Sequence, residues 1–335
     1  TLNFFGMPIL YLPKYGWVLK GRGSGFLAPS YDNYSESAIN DKDGNLVSDD
    51  RSYRFRMPYY FNIAPDRDLI LALSYMSSRG FVYEGKYRQL IKPKLSLKKK
   101  DSIFELESKY LIEDKITGSK RWLLNTSIDL DITNNINLRA KYHRASDSNY
   151  FKDIERTNSK DKALKSNINL SYVDEDNNLE ASILTENEQT ITAYPKYQRA
   201  LEVNLEKTYR VTNETPVKID LSSTKFTHHI SSKASGVRTY GNLGVTRTLS
   251  NDFPIIKTKA DVNKTYYKLN NSSNISRQTA GAGISFSFPF EPGDKLFASD
   301  FNHLITPSVS YNYRQKVLQG NIPIFDTTDK YDEII

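Results

Sequence analysis

Short segments in which apolar and polar residues alternate recur along the whole chain of 335 residues. A period of two places every second side chain on the same face, which is typical of a β-strand with one apolar and one polar face. About fifteen such segments can be counted, and none of the chain shows a convincing helical periodicity. Clear examples lie at 122–132, 136–142, 164–172, 197–205, 284–290 and 305–313. The pattern predicts an all-β, antiparallel fold.

Alternation alone fits both a soluble β-sandwich and a membrane β-barrel, but the links between segments separate the two. If the first strand begins near residue 25, the links after even-numbered strands are mostly short, and those after odd-numbered strands are often long and polar. Two links, at 76–80 and 291–302, break this rule. Short turns on one rim and long loops on the other favour a partial antiparallel transmembrane β-barrel of the outer-membrane type. The short links lie at 63–66, 133–135, 174–177, 211–215 and 249–254, and the long ones at 32–50, 146–163, 228–235 and 269–277.

Composition narrows the class of protein further. Hydrophobic residues make up 38% of the chain and the mean hydropathy is −0.58. No stretch approaches the roughly 18 consecutive apolar residues of a membrane-spanning helix, so a helical membrane protein is excluded. A membrane β-barrel is still possible with this composition, because only every second residue of its strands faces lipid. The 23 tyrosines and 16 phenylalanines suit the aromatic girdles of such a barrel.

The residues that carry catalysis or bind metals form no recognisable arrangement. The four histidines have neither the spacing nor the neighbouring carboxylates of a metal site. The glycines of AGAGISF at 280–286 continue into a strand rather than a helix, which argues against a dinucleotide site. The basic run at 92–100 has no interleaved aromatic residues for binding nucleic acid. We therefore predict no enzyme activity, no catalytic residues, no metal, no cofactor and no nucleic-acid partner.

Two prolines mark neighbouring strands near the start of the predicted barrel. Pro58 lies within the run MPYYFNIAPDRD at 57–68, directly after a strand-like segment, and Pro29 interrupts the strand-like segment 25–31. Proline has no backbone N–H for a sheet ladder, so it normally lies at strand ends, bulges or weakly paired edges. The two prolines therefore predict a seam that opens, with ordinary strand ends or bulges as the alternative interpretation.

The same run also contains a short turn between the second and third strands. Asn62, Ala64 and Pro65 lie where the chain reverses, at 63–66. Pro65 is therefore expected on the rim rather than in the seam, and the turn is expected to set the register of the two strands.

With these features in place, the chain resembles the outer-membrane lipopolysaccharide-assembly protein family LptD, also called OstA or Imp. The run PYYFNIAPDRD is highly specific, and the matching motifs agree in order and spacing over nearly the whole chain. They are PILYLPKYGW at 8–17, RGSGFLAPSY at 22–31, MPYYFNIAPDRDLIL at 57–71, SYMSSRG at 74–80, EGKYRQL at 84–90, SKRWLLN at 119–125, SDSNYFKDI at 146–154, LITPSVSYNYR at 304–314 and IPIFD at 322–326.

The resemblance implies a larger barrel, of which about fifteen strands are present here, preceded by a periplasmic β-jelly roll. Residues 1–20 would be the last jelly-roll strand and a hinge containing Pro8 and Pro13, and residues 21–335 the first part of the barrel. The implied partners are lipopolysaccharide, the plug lipoprotein LptE and the periplasmic bridge protein LptA. The implied location is the outer membrane of a Gram-negative bacterium, with the N-terminal end in the periplasm.

The resemblance also implies how the chain would work. Lipopolysaccharide would be assembled into the outer leaflet by leaving sideways between the first and last strands, and Pro29 and Pro58 match the prolines that weaken this seam. Arg139 and Lys141 on the polar face of one strand are candidate lumen contacts for phosphate groups. The alternatives are a general outer-membrane porin and a soluble all-β binding module.

Overall fold

The computed structural model describes residues 2–4, 7–10, 22–34, 39–40, 44, 46–48, 52–92, 102–157, 163–190, 196–251, 253–270, 272–290, 304–317 and 322–329. The fold is all-β, as the alternation predicts. Sixteen strands belong to an antiparallel sheet whose strand order is open at both ends, which is consistent with part of a barrel. The described helices are a single turn, α1 (Tyr150–Asp153), and a 3-10 turn, η1 (Thr327–Asp329). Neither of these described helices has the length or apolarity to cross a membrane.

The chain divides into two compact units, residues 1–90 with 105–124, and residues 91–104 with 125–335. The strands of the first unit are β1 (Leu2–Phe4), β2 (Met7–Leu10), β3 (Gly25–Phe26), β4 (Ser30–Tyr34), β5 (Ile39–Asn40), β6 (Leu46–Ser48), β7 (Ser52–Ala64), β8 (Arg67–Met76), β9 (Gly80–Ile91), β10 (Ser102–Leu111) and β11 (Arg121–Asp131), the last three of which also contribute residues to the second unit. Those of the second unit are β12 (Ile136–Ala145), β13 (Ala163–Asp174), β14 (Leu179–Thr190), β15 (Gln198–Thr212), β16 (Thr215–Thr227), β17 (Gly236–Ser250), β18 (Ile255–Leu269), β19 (Ile275–Ser287) and β20 (Ser308–Arg314).

The first unit begins with two short paired strands. The strands β1 and β2 pair as a small hairpin, with Phe4 opposite Met7. A second hairpin, β5–β6, lies inside the predicted loop 32–50. Its Gly44 has a φ of +86°, which glycine adopts without strain.

The strand β7 organises the described part of the first unit. It pairs with β8 along nearly its whole length, and β8 pairs in turn with β9. On its other side β7 pairs with both β3 and β4, so these are two pieces of one strand. If β3 and β4 are counted as one strand, the described sheet has fifteen strands, in agreement with the number of about fifteen that the sequence predicts. We call β3 and β4 together the first strand.

A buried ion triplet closes the end of the first unit opposite the β7–β8 turn. Asp114 accepts hydrogen bonds from Arg79 at 2.7 Å and from Arg121 at 3.1 Å, and its other oxygen accepts the amide of Ile116 at 3.0 Å. All three charged side chains are buried: Arg79 is 4% exposed, Asp114 0% and Arg121 3%. Removing Asp114 would take away the negative charge that these two buried arginines share.

In the second unit β12 to β20 pair in chain order, each with the next. Large apolar side chains stand exposed on one face, and polar side chains such as Glu202, Thr224 and Asn263 lie on the other. The strands β15, β17 and β18 are each 15 residues long, longer than the apolar alternation predicts. A ladder of backbone hydrogen bonds continues past the apolar stretch because it does not depend on side-chain type. The exposed apolar residues include Leu201, Val203, Leu205, Leu221, Leu243 and Val262.

Candidate functional site

The first strand is interrupted where it passes Pro29. Its two paired pieces are two and five residues long, whereas β7 beside it runs unbroken for 13 residues. Phe26 lies opposite Tyr59, and Ser30 lies opposite Arg56. Four steps along the first strand thus match three along β7, so the first strand carries one additional residue. This is a β-bulge, and Pro29 is its last residue before pairing resumes.

Pro58 lies inside β7 and directly opposite this interruption. The amide of Leu27 donates to the carbonyl oxygen of Pro58 at 2.9 Å. In an antiparallel ladder the N–H and C=O of one residue point to the same neighbouring strand. The nitrogen of Pro58 therefore also faces the first strand, where it has no hydrogen to donate. On the β8 side Pro58 pairs with Ala72 at a position that needs no hydrogen bond from it. The proline thus weakens only the pairing with the first strand.

Side chains hold the first strand at the end near the β7–β8 turn. The carboxylate of Asp68 accepts two hydrogen bonds from Arg88, both at 2.9 Å, one from Tyr60 at 3.3 Å and one from Arg22. Arg22 also donates to the Tyr60 hydroxyl at 2.7 Å and to the carbonyl of Pro65 at 3.3 Å. Asp68 is buried. We call Arg22, Tyr60, Asp68 and Arg88 the base clamp, because it ties the start of the first strand to three strands at once.

Asn62 adds a second attachment at the same end. Its amide nitrogen donates to the hydroxyl of Ser24 at 2.9 Å, and its side-chain amide donates to the carbonyl of Arg22 at 2.7 Å. These contacts replace ladder hydrogen bonds that β3 is too short to make. At the opposite end of the first strand the hydroxyls of Tyr34 and Ser78 lie 3.2 Å apart. The strand is therefore held at both ends and least supported around Leu27–Pro29.

Aromatic side chains cover the exposed face of this seam at two levels. Near the base clamp the ring of Tyr59 contacts Phe26 edge-on, with centroids 4.9 Å apart, and Phe61 at 4.6 Å. Toward the other end Tyr53 stacks on Tyr31 at 5.8 Å and lies 6.1 Å from Tyr75. Phe26 and Tyr31 are 61% and 59% exposed. Two aromatic bands with aliphatic residues between them are typical of a sheet face that contacts a lipid bilayer.

The opposite face of the seam is charged. Glu84 on β9 accepts hydrogen bonds from Arg54 and Arg56 on β7, each at 2.8 Å, and from the hydroxyl of Ser74 on β8. Two guanidinium groups thus share one carboxylate beside the first strand. Guanidinium groups are the side chains best suited to bind carboxylate and phosphate groups.

The other residues singled out in the sequence fall in separate places. Asn62 and Ala64 lie at the end of β7, and Pro65 is in the turn before β8. Pro8 lies in β2 opposite Asn3, and Pro13 is outside the described residues. The hinge predicted at Pro8 and Pro13 therefore stays a prediction.

The two candidate lumen cations lie on β12 in the second unit. Arg139 and Lys141 share its polar face and are exposed. The Arg139 side chain is 3.6 Å from a carboxylate oxygen of Asp129, so part of its charge is balanced within the sheet. Their role as phosphate contacts stays a prediction.

The base clamp is the part of the site that the sequence does not reveal. Arg22 and Asp68 are 46 residues apart, and Asp68 and Arg88 are 20 apart. The alternation of apolar and polar residues does place Tyr60, Asn62 and Asp68 on polar faces. It does not predict which side chains of neighbouring strands contact each other. Only the register of the three strands brings these groups together.

An antiparallel sheet with one apolar face that carries aromatic bands, one polar face and an interrupted edge strand is typical of the outer-membrane β-barrel class of proteins. Residues 119–333, more than half of the chain, match the family described as LptD, LPS transport system D. The chain belongs to this LptD family.

Curated relatives agree with this assignment over nearly the whole chain. The chain is 26% identical to "LPS-assembly protein LptD" of Neisseria meningitidis serogroup B (strain H44/76), covering 97% of this chain and 39% of the relative. Identity to the protein of the same name from Idiomarina loihiensis is 26%, covering 99% of this chain and 42% of that protein. The chain thus spans about two fifths of the length of the curated relatives it matches.

Among solved structures, a protein titled "Bacterial polysaccharide outer membrane secretin" covers 88% of this chain and 99% of its own length. Its TM-score is 0.32 and its identity 9%, too low to bear on the fold or the function.

Proposed function

We propose that this chain takes part in transporting lipopolysaccharide to the outer membrane of a Gram-negative bacterium and assembling it in the outer leaflet. It acts as a non-enzymatic conduit, and the lipid part of the substrate leaves along the first strand. The observation that carries the proposal is the one-sided pairing at Pro58, which weakens the contact of β7 with the first strand and leaves the contact with β8 intact.

Lateral exit of a lipid requires a seam that opens at a low cost in free energy. In hydrocarbon each unpaired backbone N–H or C=O costs several kcal/mol, so an ordinary barrel seam stays shut. Here the first strand already lacks the donor of Pro58 and carries a bulge at Leu27–Pro29. Bending the strand at this point breaks few hydrogen bonds. The base clamp and the Tyr34–Ser78 contact keep its ends in place while the middle moves.

The charge on the polar face fits the same substrate. The phosphates of lipopolysaccharide are anionic, and guanidinium groups bind phosphate through paired hydrogen bonds. Arg54 and Arg56 lie beside the seam on this face. Arg139 and Lys141 offer further cations on the polar face of β12. In this proposal the sugar and phosphate groups follow the polar face while the acyl chains pass the aromatic face.

The family resemblance supplies the remaining elements of the proposal. The base-clamp end of the first strand faces the periplasm, and the long loops lie outside the cell. Lipopolysaccharide arrives over a periplasmic bridge that includes LptA, and the lipoprotein LptE fills the lumen. Residues 1–20 link the barrel to the periplasmic domain, with Pro8 and Pro13 in the hinge.

The test is a proline replacement in the full-length protein. Pro29→Ala combined with Pro58→Ala restores donors at the seam and should lower surface lipopolysaccharide and weaken exclusion of large antibiotics. Pro216→Ala is the matched control, because Pro216 lies in β16, a strand that pairs with β15 and β17 and not with the first strand. Normal surface lipopolysaccharide in the double variant, at normal protein levels, would contradict the proposed mechanism.

A further inference from the structure

The segment 322–329 follows β20 and packs against the polar face of the second unit. Phe325 is its buried anchor. The Phe325 ring stacks on Phe226 with centroids 4.6 Å apart and meets Tyr197 edge-on at 5.0 Å, and Tyr267 lies 6.3 Å away. Phe226 and Tyr267 are near the ends of β16 and β18 that lead into the long loops. The segment therefore lies at the long-loop rim of the polar face.

Two carboxylates of this segment lie among arginines from three strands. Asp326 accepts hydrogen bonds from Arg238 at 2.7 and 3.1 Å and from Arg199 at 3.2 Å. Asp329 accepts from Arg238 at 3.0 Å, and its backbone carbonyl accepts from Arg277 at 3.3 Å. The arginines belong to β15, β17 and β19. We call Arg199, Arg238 and Arg277 the arginine cluster.

The arrangement has the chemistry of a site for a phosphorylated sugar. Guanidinium groups bind carboxylate and phosphate in the same paired geometry, and a phosphate carries more charge and more acceptor oxygens than a carboxylate. The hydroxyl of Tyr267 donates to Asp329 at 2.7 Å and offers one further donor. The rings of Phe226 and Tyr267 present flat apolar faces beside the charges. Such faces suit the C–H face of a sugar ring.

We propose that the arginine cluster is a binding site for the phosphate groups of an anionic saccharide, and that Asp326 and Asp329 occupy it until such a ligand displaces the segment. The choice of a phosphorylated saccharide rests on the proposed function. The segment acts as an internal competitor, because it brings two negative charges and an aromatic anchor to the same surface. Passage of an anionic substrate along the polar face then opens the rim by exchange of one anion for another.

A purely structural cap would have the same contacts but a different response to ligand. An anion that competes for the cluster must weaken the docking of the segment, and a weaker segment must strengthen binding of the anion, because the two effects are thermodynamically linked. A structural cap would show neither effect. The two interpretations therefore differ in hydrogen exchange of 322–329 and in the affinity for a phosphorylated probe.

The probe is the soluble oligosaccharide obtained by removing all acyl chains from lipopolysaccharide, used with and without its phosphates. Added to the full-length protein in detergent, the phosphorylated form should speed hydrogen exchange of 322–329, and the dephosphorylated form should not. Asp326→Asn should tighten binding of the phosphorylated form about fivefold or more. Asp176→Asn, in the turn between β13 and β14, is the matched control and should leave the affinity unchanged.

Equal affinity of Asp326→Asn and the unaltered protein, or exchange of 322–329 that ignores the phosphorylated probe, would overturn the site. Arg238→Gln should weaken binding, and if it does not fold, the exchange experiment on the unaltered protein still decides. Because the probe has no acyl chain, its binding does not depend on the seam. Loss of transport with intact probe binding would therefore count against the proposed function alone.

Discussion

Leu27 donates its amide hydrogen to the carbonyl of Pro58 at 2.9 Å, and Pro58 has no amide with which to return a hydrogen bond. The exchange between these two residues is one-sided at a position where a hydrogen-bonded pair of an antiparallel ladder normally exchanges two bonds. It occurs where the first strand carries its bulge. A missing donor and an additional residue at the same point make this the weakest part of the first strand's pairing.

Replacing Pro58 by alanine should strengthen this point. The new amide would face the first strand and add one hydrogen bond, with a net gain of about 1 kcal/mol. The amide of Leu27 should then exchange with solvent about fivefold more slowly, as measured by hydrogen exchange on the full-length protein. Pro216→Ala should leave the exchange of Leu27 unchanged. An unaltered rate in Pro58→Ala would show that the proline does not limit pairing here.

Asp68→Asn should loosen the base clamp. The substitution removes the negative charge that binds both Arg22 and Arg88, whose side chains are partly exposed. The cost is about 1–2 kcal/mol, which is moderate because solvent screens the pair. Trypsin should then cleave faster after Arg22. Asp66→Asn is the matched control, since Asp66 lies in the turn just before β8 and, within the described residues, forms an ion pair with its neighbour Arg67. Equal cleavage rates in both variants would argue against the clamp.

Asp114→Asn should destabilise the first unit strongly. Its carboxylate balances two arginines that are almost fully buried. Removing the negative charge that they share should cost about 3–5 kcal/mol. The expected result is a clearly lower melting temperature in detergent, whereas the exposed Asp176→Asn should melt like the unaltered protein. A change in melting temperature no larger than that of Asp176→Asn would contradict this account of the triplet.

The docking of 322–329 should depend on pH through Asp326. Burial opposes ionisation of Asp326, but hydrogen bonds from Arg238 and Thr328 and the positive charge of Arg238 outweigh it, so the pKa lies below the ordinary value of 3.8. Among the described residues, Asp326 also faces Arg199, which pairs with Glu202 as well, and Asp329 binds the same Arg238. Because the docked state lowers the pKa, this stabilisation is complete above the ordinary pKa and is lost as the pH falls through the lower one.

The expected observation is protection of 322–329 that stays constant from about pH 7 to pH 5 and decreases only below about pH 4. Hydrogen exchange corrected for the intrinsic rate of each amide measures it. In Asp326→Asn this part of the pH dependence should disappear. A decrease centred near neutral pH would instead indicate another titrating group.

Much of the fold could be predicted from alternation and turn chemistry. The number of strands, the turn at Pro65–Asp66 and the interruption at Pro29 all follow from local sequence, because strand faces and turns depend on neighbouring residues. The predicted strand at 305–313 begins later, at Ser308, and Ile305 forms only a single bridge with Phe290. In residues 2–10 the strand β1 pairs with β2, and the assignment of residues 1–20 to the end of a jelly roll and a hinge stays a prediction.

The contacts that matter most for the site could not be predicted in this way. Which neighbour the nitrogen of Pro58 faces depends on the register of three strands. The base clamp joins residues that are far apart in sequence. In the arginine cluster, Arg199 and Arg238 are 127 and 88 residues away from Asp326, which both of them contact. A single sequence contains no local signal for such pairs. The motif IPIFD marked the segment through the family resemblance but gave no partner for it.

The most direct test of the account is a reversible tether between the first strand and β7. Phe26 and Tyr59 lie opposite each other on the exposed face. Phe26→Cys with Tyr59→Cys, oxidised in the full-length protein in cells, should block delivery of lipopolysaccharide to the surface, and reduction should restore it. Leu73→Cys with Tyr83→Cys, an equivalent pair on β8 and β9, should deliver normally. Normal delivery with the first strand fully tethered to β7 would contradict the account.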